Sequence, residues 1–248
     1  MLKDATIVFD LDGTLVDSAP DLTNALNDVL VRRGHAPLAA EVIRCAVGRG
    51  ARIMIETALA MAGIEEDVDA MLAEFLEHYE ANIAAQSRPF PGAVDALERL
   101  AERGARLAVC TNKRESLSRK LLQELGLSGH FAAIAGRDTF PVSKPDPGHL
   151  TRTIALAGGN PAHARRVGDR EFDFAAAWGA GMPIVLARFG YGPLPQCGNG
   201  RAAPTIDHFR ELEALAGALL GAKASGAVGQ NPAKDQSYFH PTALNEQP

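Results

Sequence analysis

The sequence predicts an α/β protein: a mostly parallel sheet with helices on both faces and a helical block inserted after its first strand. Three observations lead there. From residue 87 onward, short apolar runs alternate with helical stretches, the rhythm of parallel strands joined by crossovers. Between residues 17 and 86 only helical periodicity is present. "ATIVF" at 5–9, apolar on consecutive positions, has the texture of a strand buried on both faces. A chain of 248 residues, 46% apolar and 22% charged, is long enough to bury such a core.

The elements follow in order. Ser18 followed by Asp21 predicts a helix start of capping-box type, with Pro20 tolerated in the first turn. Leu22, Ala25, Leu26, Val29 and Leu30 then recur on one helical face. Further helices are predicted over 38–46, 51–62 and 68–84, and "SRPFPG" at 87–92 closes the block. Beyond it come helix 93–103, strand 106–110, helix 115–125, an apolar piece at 131–135 and helix 147–157. A short strand within 165–169, helix 171–179, strand 183–187 and a last helix at 207–220 complete the pattern. The expected organisation is a core domain from 1–16 plus 87–222, a helical domain from 17–86, and a weakly ordered tail at 223–248 rich in small and polar residues.

Composition narrows the function. A net charge of -5 argues against a nucleic-acid surface built on bulk positive charge. Cys45, Cys110 and Cys197 lie too far apart for a zinc or disulfide framework and read as reduced structural thiols. The acidic N-terminus lacks a signal-peptide core, and no apolar run reaches membrane-span length, so a soluble cytoplasmic protein, with no membrane partner, is expected. "GRG" at 48–50 is too short to be a nucleotide fingerprint. The histidines show no metal-ligand spacing and read as surface or packing residues; Trp178 and the phenylalanines read as core or domain-interface residues.

"IVFDLDGTLVDS" at 7–18 carries the chemistry. Asp10 and Asp12 end the first strand, at the sheet edge where open α/β folds bind ligands. Residues two apart in extended chain project to one side, so their carboxylates repel unless a cation or proton intervenes. A lone Asp-x-Asp-Gly is more often a solvated acidic turn; here polar residues recur after later strands. Thr111 and Asn112 follow strand 106–110, Lys144 follows the third strand, with Pro145 holding its backbone extended, and Asp169 follows the fourth, with Asp173 one helical turn on. Four acids, a lysine, a hydroxyl and an amide converging on one cleft suit phosphoryl transfer. Mg²⁺ fits the carboxylates, Lys144 neutralises phosphate charge, and Thr111 binds non-transferring oxygens. One aspartate serves as nucleophile while its neighbour shuttles the proton.

These stretches resemble the haloacid dehalogenase superfamily, in its phosphoglycolate-phosphatase-like branch. "DLDGTLVDS" (10–18), "TN" (111–112), "SKPDP" (143–147) and "GDREFD" (168–173) match its four motifs in order. The resemblance implies a Rossmann-like sheet of strand order 5-4-1-2-3 under a mobile cap formed by 17–86. It makes Asp10 the phosphorylated residue, Asp12 the general acid/base, and Thr111, Asn112 and Lys144 the phosphate site. Asp10, the backbone carbonyl of Asp12 and Asp169 would hold Mg²⁺, supported by Asp173. Carbon–halogen hydrolases lack the second acid, and the phosphonoacetaldehyde-cleaving relatives use a cap lysine; residues 17–86 contain no lysine.

A phosphomonoesterase for a small phosphorylated metabolite, acting as monomer or homodimer, is therefore expected, with phosphoglycolate the leading substrate. A phosphosugar mutase of the same branch and a non-catalytic interaction protein are the alternatives. "VGRG" at 47–50 resembles the cap loop that faces the active site, which makes Arg49 the candidate partner for a substrate carboxylate. Arg170 stands where relatives carry serine or threonine, and is read as solvent-facing or locally paired.

Overall fold

The structure, a computed structural model, describes residues 2–195 and 203–215. Strand β1 (Thr6–Phe9) is buried along its length. A two-residue strand, β2 (Val16–Asp17), leads into helices α1 (Ala19–Arg32), α2 (Ala40–Ala46), α3 (Ala51–Ala62) and α4 (Val68–Ala81). Strand β3 (Arg88–Pro89) brings the chain back. Then follow α5 (Ala93–Glu102), β4 (Arg106–Cys110), α6 (Glu115–Glu124), β5 (Ala133–Ala135), α7 (Pro147–Leu156), β6 (Ala164–Gly168), α8 (Glu171–Gly179), β7 (Ile184–Ala187) and β8 (Thr205–Ile206).

The main sheet runs β5-β4-β1-β6-β7-β8, parallel throughout. Side-chain alternation along the strands decides what covers each face. Ile7, Phe9, Leu107, Val109 and Val167 join one apolar cluster, with residues of α5, α6 and the inserted helices. Val8, Ala108, Cys110, Ala133 and Ala164 join another, with Leu150 and Ile154 of α7 and Ala177 of α8. The sheet is therefore largely apolar on both faces, with Thr6, Arg165 and Arg166 as buried polar exceptions.

The short pair β2–β3 is antiparallel, Val16 opposite Pro89 and Asp17 opposite Arg88, and lies where the chain leaves and rejoins the sheet layer. The Asp21 carboxylate accepts hydrogen bonds from the amides of Gln86 and Ser87 and from the Ser87 hydroxyl, joining the start of α1 to the returning chain. Tyr191 adds a core anchor: its hydroxyl donates to Asp17 at 2.6 Å and accepts from the Ala19 amide at 2.9 Å.

Several expectations are corrected. β2, β3 and the edge strand β8 are too short to carry periodicity, and none was predicted from the sequence. Ser18 starts α1 but makes no side-chain cap, because its hydroxyl is taken by the Asp12 carboxylate at 2.6 Å. The helix predicted at 68–84 ends at Ala81. Trp178 is 45% exposed, stacked on Phe174 along α8 rather than in the core. Cys45 is exposed, while Cys110 is a buried strand residue. A 3₁₀ turn (Phe209–Glu211) opens the predicted last helix, whose residues from 216 lie outside the described residues, as does the expected tail at 223–248.

Candidate active site

The carboxyl ends of β1, β4 and β6 meet in one crevice, because parallel neighbours deliver their following residues to the same edge. Asp10 follows β1, Thr111 follows β4 and Asp169 follows β6; all are buried. Lys144, from the segment between β5 and α7, is buried beside them.

The two acids of the first loop are separated by partners rather than left to repel. Asp10 Oδ1 lies 2.8 Å from Lys144 Nζ. Asp12 turns to Lys113, whose Nζ is 3.0 and 3.1 Å from its two oxygens. Lys144 Nζ also donates to Asp173 Oδ1 at 2.7 Å, and Arg166 reaches the same oxygen at 2.6 Å. The other Asp173 oxygen accepts from the amides of Asp169 and Arg170, both at 3.2 Å, so one carboxylate shapes the turn into α8 while pairing with two cations.

Asp169 has the weakest cationic company. It accepts from Thr14 Oγ1 at 2.7 Å and the Tyr191 amide at 2.9 Å, and its nearest cation is Arg170 at 3.8 Å. Burial, then the charges of Asp173 and Asp10, push its carboxyl up to about 7. Burial and Asp173 likewise raise Asp10, against the pull of Lys144 and Arg166. Burial would also raise Asp173, but Lys144 and Arg166 overcome it and bring the group down to about 2.

Oxygen atoms of Asp10, Asp169 and Asp173 lie within 4.8 Å of one another, a grouping able to hold a metal ion. The residues fit a hard divalent cation: the donors are all carboxylate oxygens, and Asp10 Oδ1 accepts no hydrogen bond of proper geometry among the described residues. The carboxylate of Asp12 lies outside this grouping, held by Lys113 and Ser18.

Asn112 belongs to the crevice, but its amide nitrogen donates to the carbonyls of Gly48 and Lys144, each at 3.1 Å, so it ties an inserted loop to the sheet edge. Arg49 is not brought into the crevice. Gly48 and Gly50 line the cavity, whereas Arg49 between them is half exposed and pairs with Glu171 at 3.0 Å. Arg170 is buried rather than solvent-facing, and donates across the interface to the Arg44 carbonyl at 2.7 Å.

Sequence reasoning missed Lys113, Arg166 and Tyr79. Lys113 directly follows the Thr-Asn pair, and its position was its only signal. Arg166 was more legible: an arginine inside a buried parallel strand demands a buried acid. Tyr79 gives no local signal, since only tertiary packing carries α4 over the crevice, where Lys113 Nζ sits 4.5 Å from its ring centre.

Fold and site together define a hydrolase of α/β architecture built around a carboxylate cluster at the carboxyl edge of a parallel sheet. The chain belongs to the haloacid dehalogenase-like hydrolase family, whose model matches residues 7–187. It is 50% identical over 188 residues to a phosphoglycolate phosphatase of Mesorhizobium japonicum, covering 75% of this chain and 83% of that protein. A phosphoglycolate phosphatase of Rhodospirillum rubrum is 39% identical over 240 residues, 92% of this chain and 98% of the relative. Among solved structures, that of a predicted phosphoglycolate phosphatase from Haemophilus somnus superposes with a TM-score of 0.78 at 27% identity, covering 87% of this chain and 98% of the other.

Proposed function

We propose that this protein is a Mg²⁺-dependent phosphoglycolate phosphatase working through an aspartyl-phosphate on Asp10. The observation that carries the reading is the division of labour between the first two acids. Asp10 is paired with Lys144 in the buried cluster, and Asp12 is held apart by Lys113 at the cavity wall.

In this reading Asp10 attacks phosphorus, and Lys144 neutralises charge on the phosphoryl oxygens with help from the Thr111 hydroxyl. Asp12, entering the cycle with a proton taken up from solvent, gives it to the departing alkoxide, then takes one from the water that attacks the phosphoenzyme, returning Asp10 and releasing phosphate. Asp10, Asp169 and the Asp12 backbone carbonyl would hold Mg²⁺, with Asp173 in support; the ion supplies electrostatic stabilisation of phosphate charge. Residues 17–86 act as a cap over the crevice and 1–16 with 87–222 as the core. The hydrogen bonds from Asn112 to Gly48 and from Arg170 to Arg44 support a closed arrangement.

No helix among the described residues is long and apolar enough to cross a membrane. A cytoplasmic protein acting on a small phosphorylated metabolite, as monomer or homodimer, fits the unpaired cysteines Cys45 and Cys110. The test is a panel of phosphate monoesters assayed with and without Mg²⁺. Preferred, metal-dependent hydrolysis of 2-phosphoglycolate is expected; hydrolysis of none of the esters would overturn the reading.

A further inference from the structure

We propose that Lys113 of the core and Tyr79 of the cap together form the subsite that binds the substrate's carboxylate, and so determine specificity. The inference rests on the phosphoglycolate reading above and names the residues that would recognise the acid.

Substrate geometry sets the first constraint. In phosphoglycolate a single methylene separates the ester oxygen from the carboxylate carbon. A cation binding that carboxylate must therefore lie within a few ångströms of the group that protonates the ester oxygen. Lys113 meets this requirement, its Nζ being 3.0 Å from the nearer Asp12 oxygen. Burial alone would weaken its charge, but Asp12 and Tyr79 more than offset this and hold its pKa above the ordinary lysine value. Of the other cations, Arg49 is outside the cavity lining and Arg52 is engaged by Glu56 and Asp69. Arg114 and Arg137 also line the cavity, but among the described residues only Lys113 pairs with Asp12.

Tyr79 provides the second observation. It lines the same cavity of about 340 Å³, is 1% exposed, and its hydroxyl makes no hydrogen bond of proper geometry among the described residues, the Lys113 ammonium being its polar neighbour. A buried hydroxyl left unpaired costs stability unless something fills it. A carboxylate bound by Lys113 would lie next to this donor, since the ammonium sits over the Tyr79 ring.

The cap side of the wall is largely apolar: Leu22, Met54, Leu72, Phe75 and Leu76 line it and offer no hydrogen bond to the hydroxyls of a sugar. Because Lys113 comes from the segment after β4 and Tyr79 from α4, the subsite is complete only with the cap closed. Lys113 exchanges partners as the acid arrives: the substrate carboxylate competes with Asp12 for the ammonium, and the released Asp12 is free to turn toward the leaving oxygen.

The test compares kcat/KM for 2-phosphoglycolate and ethyl phosphate, with Mg²⁺, in the wild type and in Lys113→Met, Lys113→Arg, Tyr79→Phe and Arg49→Ala. The ratio of the two values should fall roughly 10–150-fold in Lys113→Met, the effect of losing a hydrogen bond to a charged group. Tyr79→Phe should lower it about 2–10-fold, and Lys113→Arg should retain part of the preference. Lys113→Arg and Tyr79→Phe keep the question open to measurement should Lys113→Met fold poorly. An equal loss on both esters would assign Lys113 to Asp12 alone and overturn the subsite, as would a ratio that collapses in Arg49→Ala instead. A wild type that hydrolyses ethyl phosphate but ignores 2-phosphoglycolate would defeat the functional reading. A wild-type preference that survives in Lys113→Met and Tyr79→Phe would defeat this inference alone.

Discussion

Arg166 donates to Asp173 at 2.6 Å with both side chains fully buried, so a guanidinium is held inside the sheet directly behind the candidate site. Two of its nitrogens, Nε and Nη1, have no hydrogen-bond partner among the described residues, while Nη2 also reaches the Cys110 carbonyl. Its charge therefore depends chiefly on Asp173, the Asp10 carboxylate being farther away at 3.8 Å. Removing one partner of a buried pair typically costs about 3–5 kcal/mol, because the other charge is left uncompensated. Asp173→Asn should show this cost in full, stranding Arg166 and weakening the partner set of Lys144. Arg166→Met should cost less, since Asp173 keeps Lys144 at 2.7 Å. Urea unfolding of both variants checks the order, and midpoints equal to wild type would refute it.

The two acids of the first loop should fail differently. Asp10→Asn removes the proposed nucleophile at nearly constant volume and should abolish phosphoenzyme formation. Asp12→Asn should still form phosphoenzyme but turn over roughly 10²–10⁴-fold more slowly, the usual size of a general acid/base contribution. Burst kinetics on a substrate with a good leaving group separate the two. Undiminished hydrolysis by Asp10→Asn would contradict the mechanism.

Gly13 carries a positive φ of 82°, and a Cβ there would lie 2.7 Å from Asp169 Oδ2 and 2.9 Å from the Tyr191 ring. Gly13→Ala should therefore combine backbone strain of order 1–3 kcal/mol with displacement of Asp169, the acid of the site cluster that lacks a close cation. Expected outcomes are a lower melting temperature and weaker Mg²⁺ activation, read by calorimetry and by activity against metal concentration. Wild-type values of both would mean that the loop accommodates a methyl group.

His149 provides a pH test away from the chemistry. It is fully buried, its Nε2 donates to the Gly136 carbonyl at 3.0 Å, and burial, aided by the charge of Lys144, pushes its pKa down to about 4. An unfolded histidine titrates at about 6.5, as in model peptides, so below that pH the unfolded state takes up the proton first. The stability tied to neutral His149 is thus present above about pH 6.5 and lost as pH falls toward the folded value, by about 2 kcal/mol at pH 5. His149→Gln keeps a donor but does not titrate. Its unfolding free energy should fall less between pH 7 and 5 than that of the wild type, and parallel curves would show that His149 does not contribute.

The sequence alone determined the αβ alternation, the helical block at 17–86 and the acids Asp10, Asp12, Asp169 and Asp173, because periodicity and motif spacing are local properties of the chain. Parallel strands then require that the residues following them share one edge, which is why Lys144 and Thr111 were legible beside the acids. The tertiary structure decided what no local pattern encodes. It paired Asp12 with Lys113 and brought Tyr79 across from α4. It turned Ser18 away from its cap and carried Arg49 out to Glu171. The reason is physical: a motif specifies which groups a strand end presents. Where each side chain finds its counter-charge depends on elements packed from distant parts of the chain, and in a dry crevice that pairing outweighs local preference.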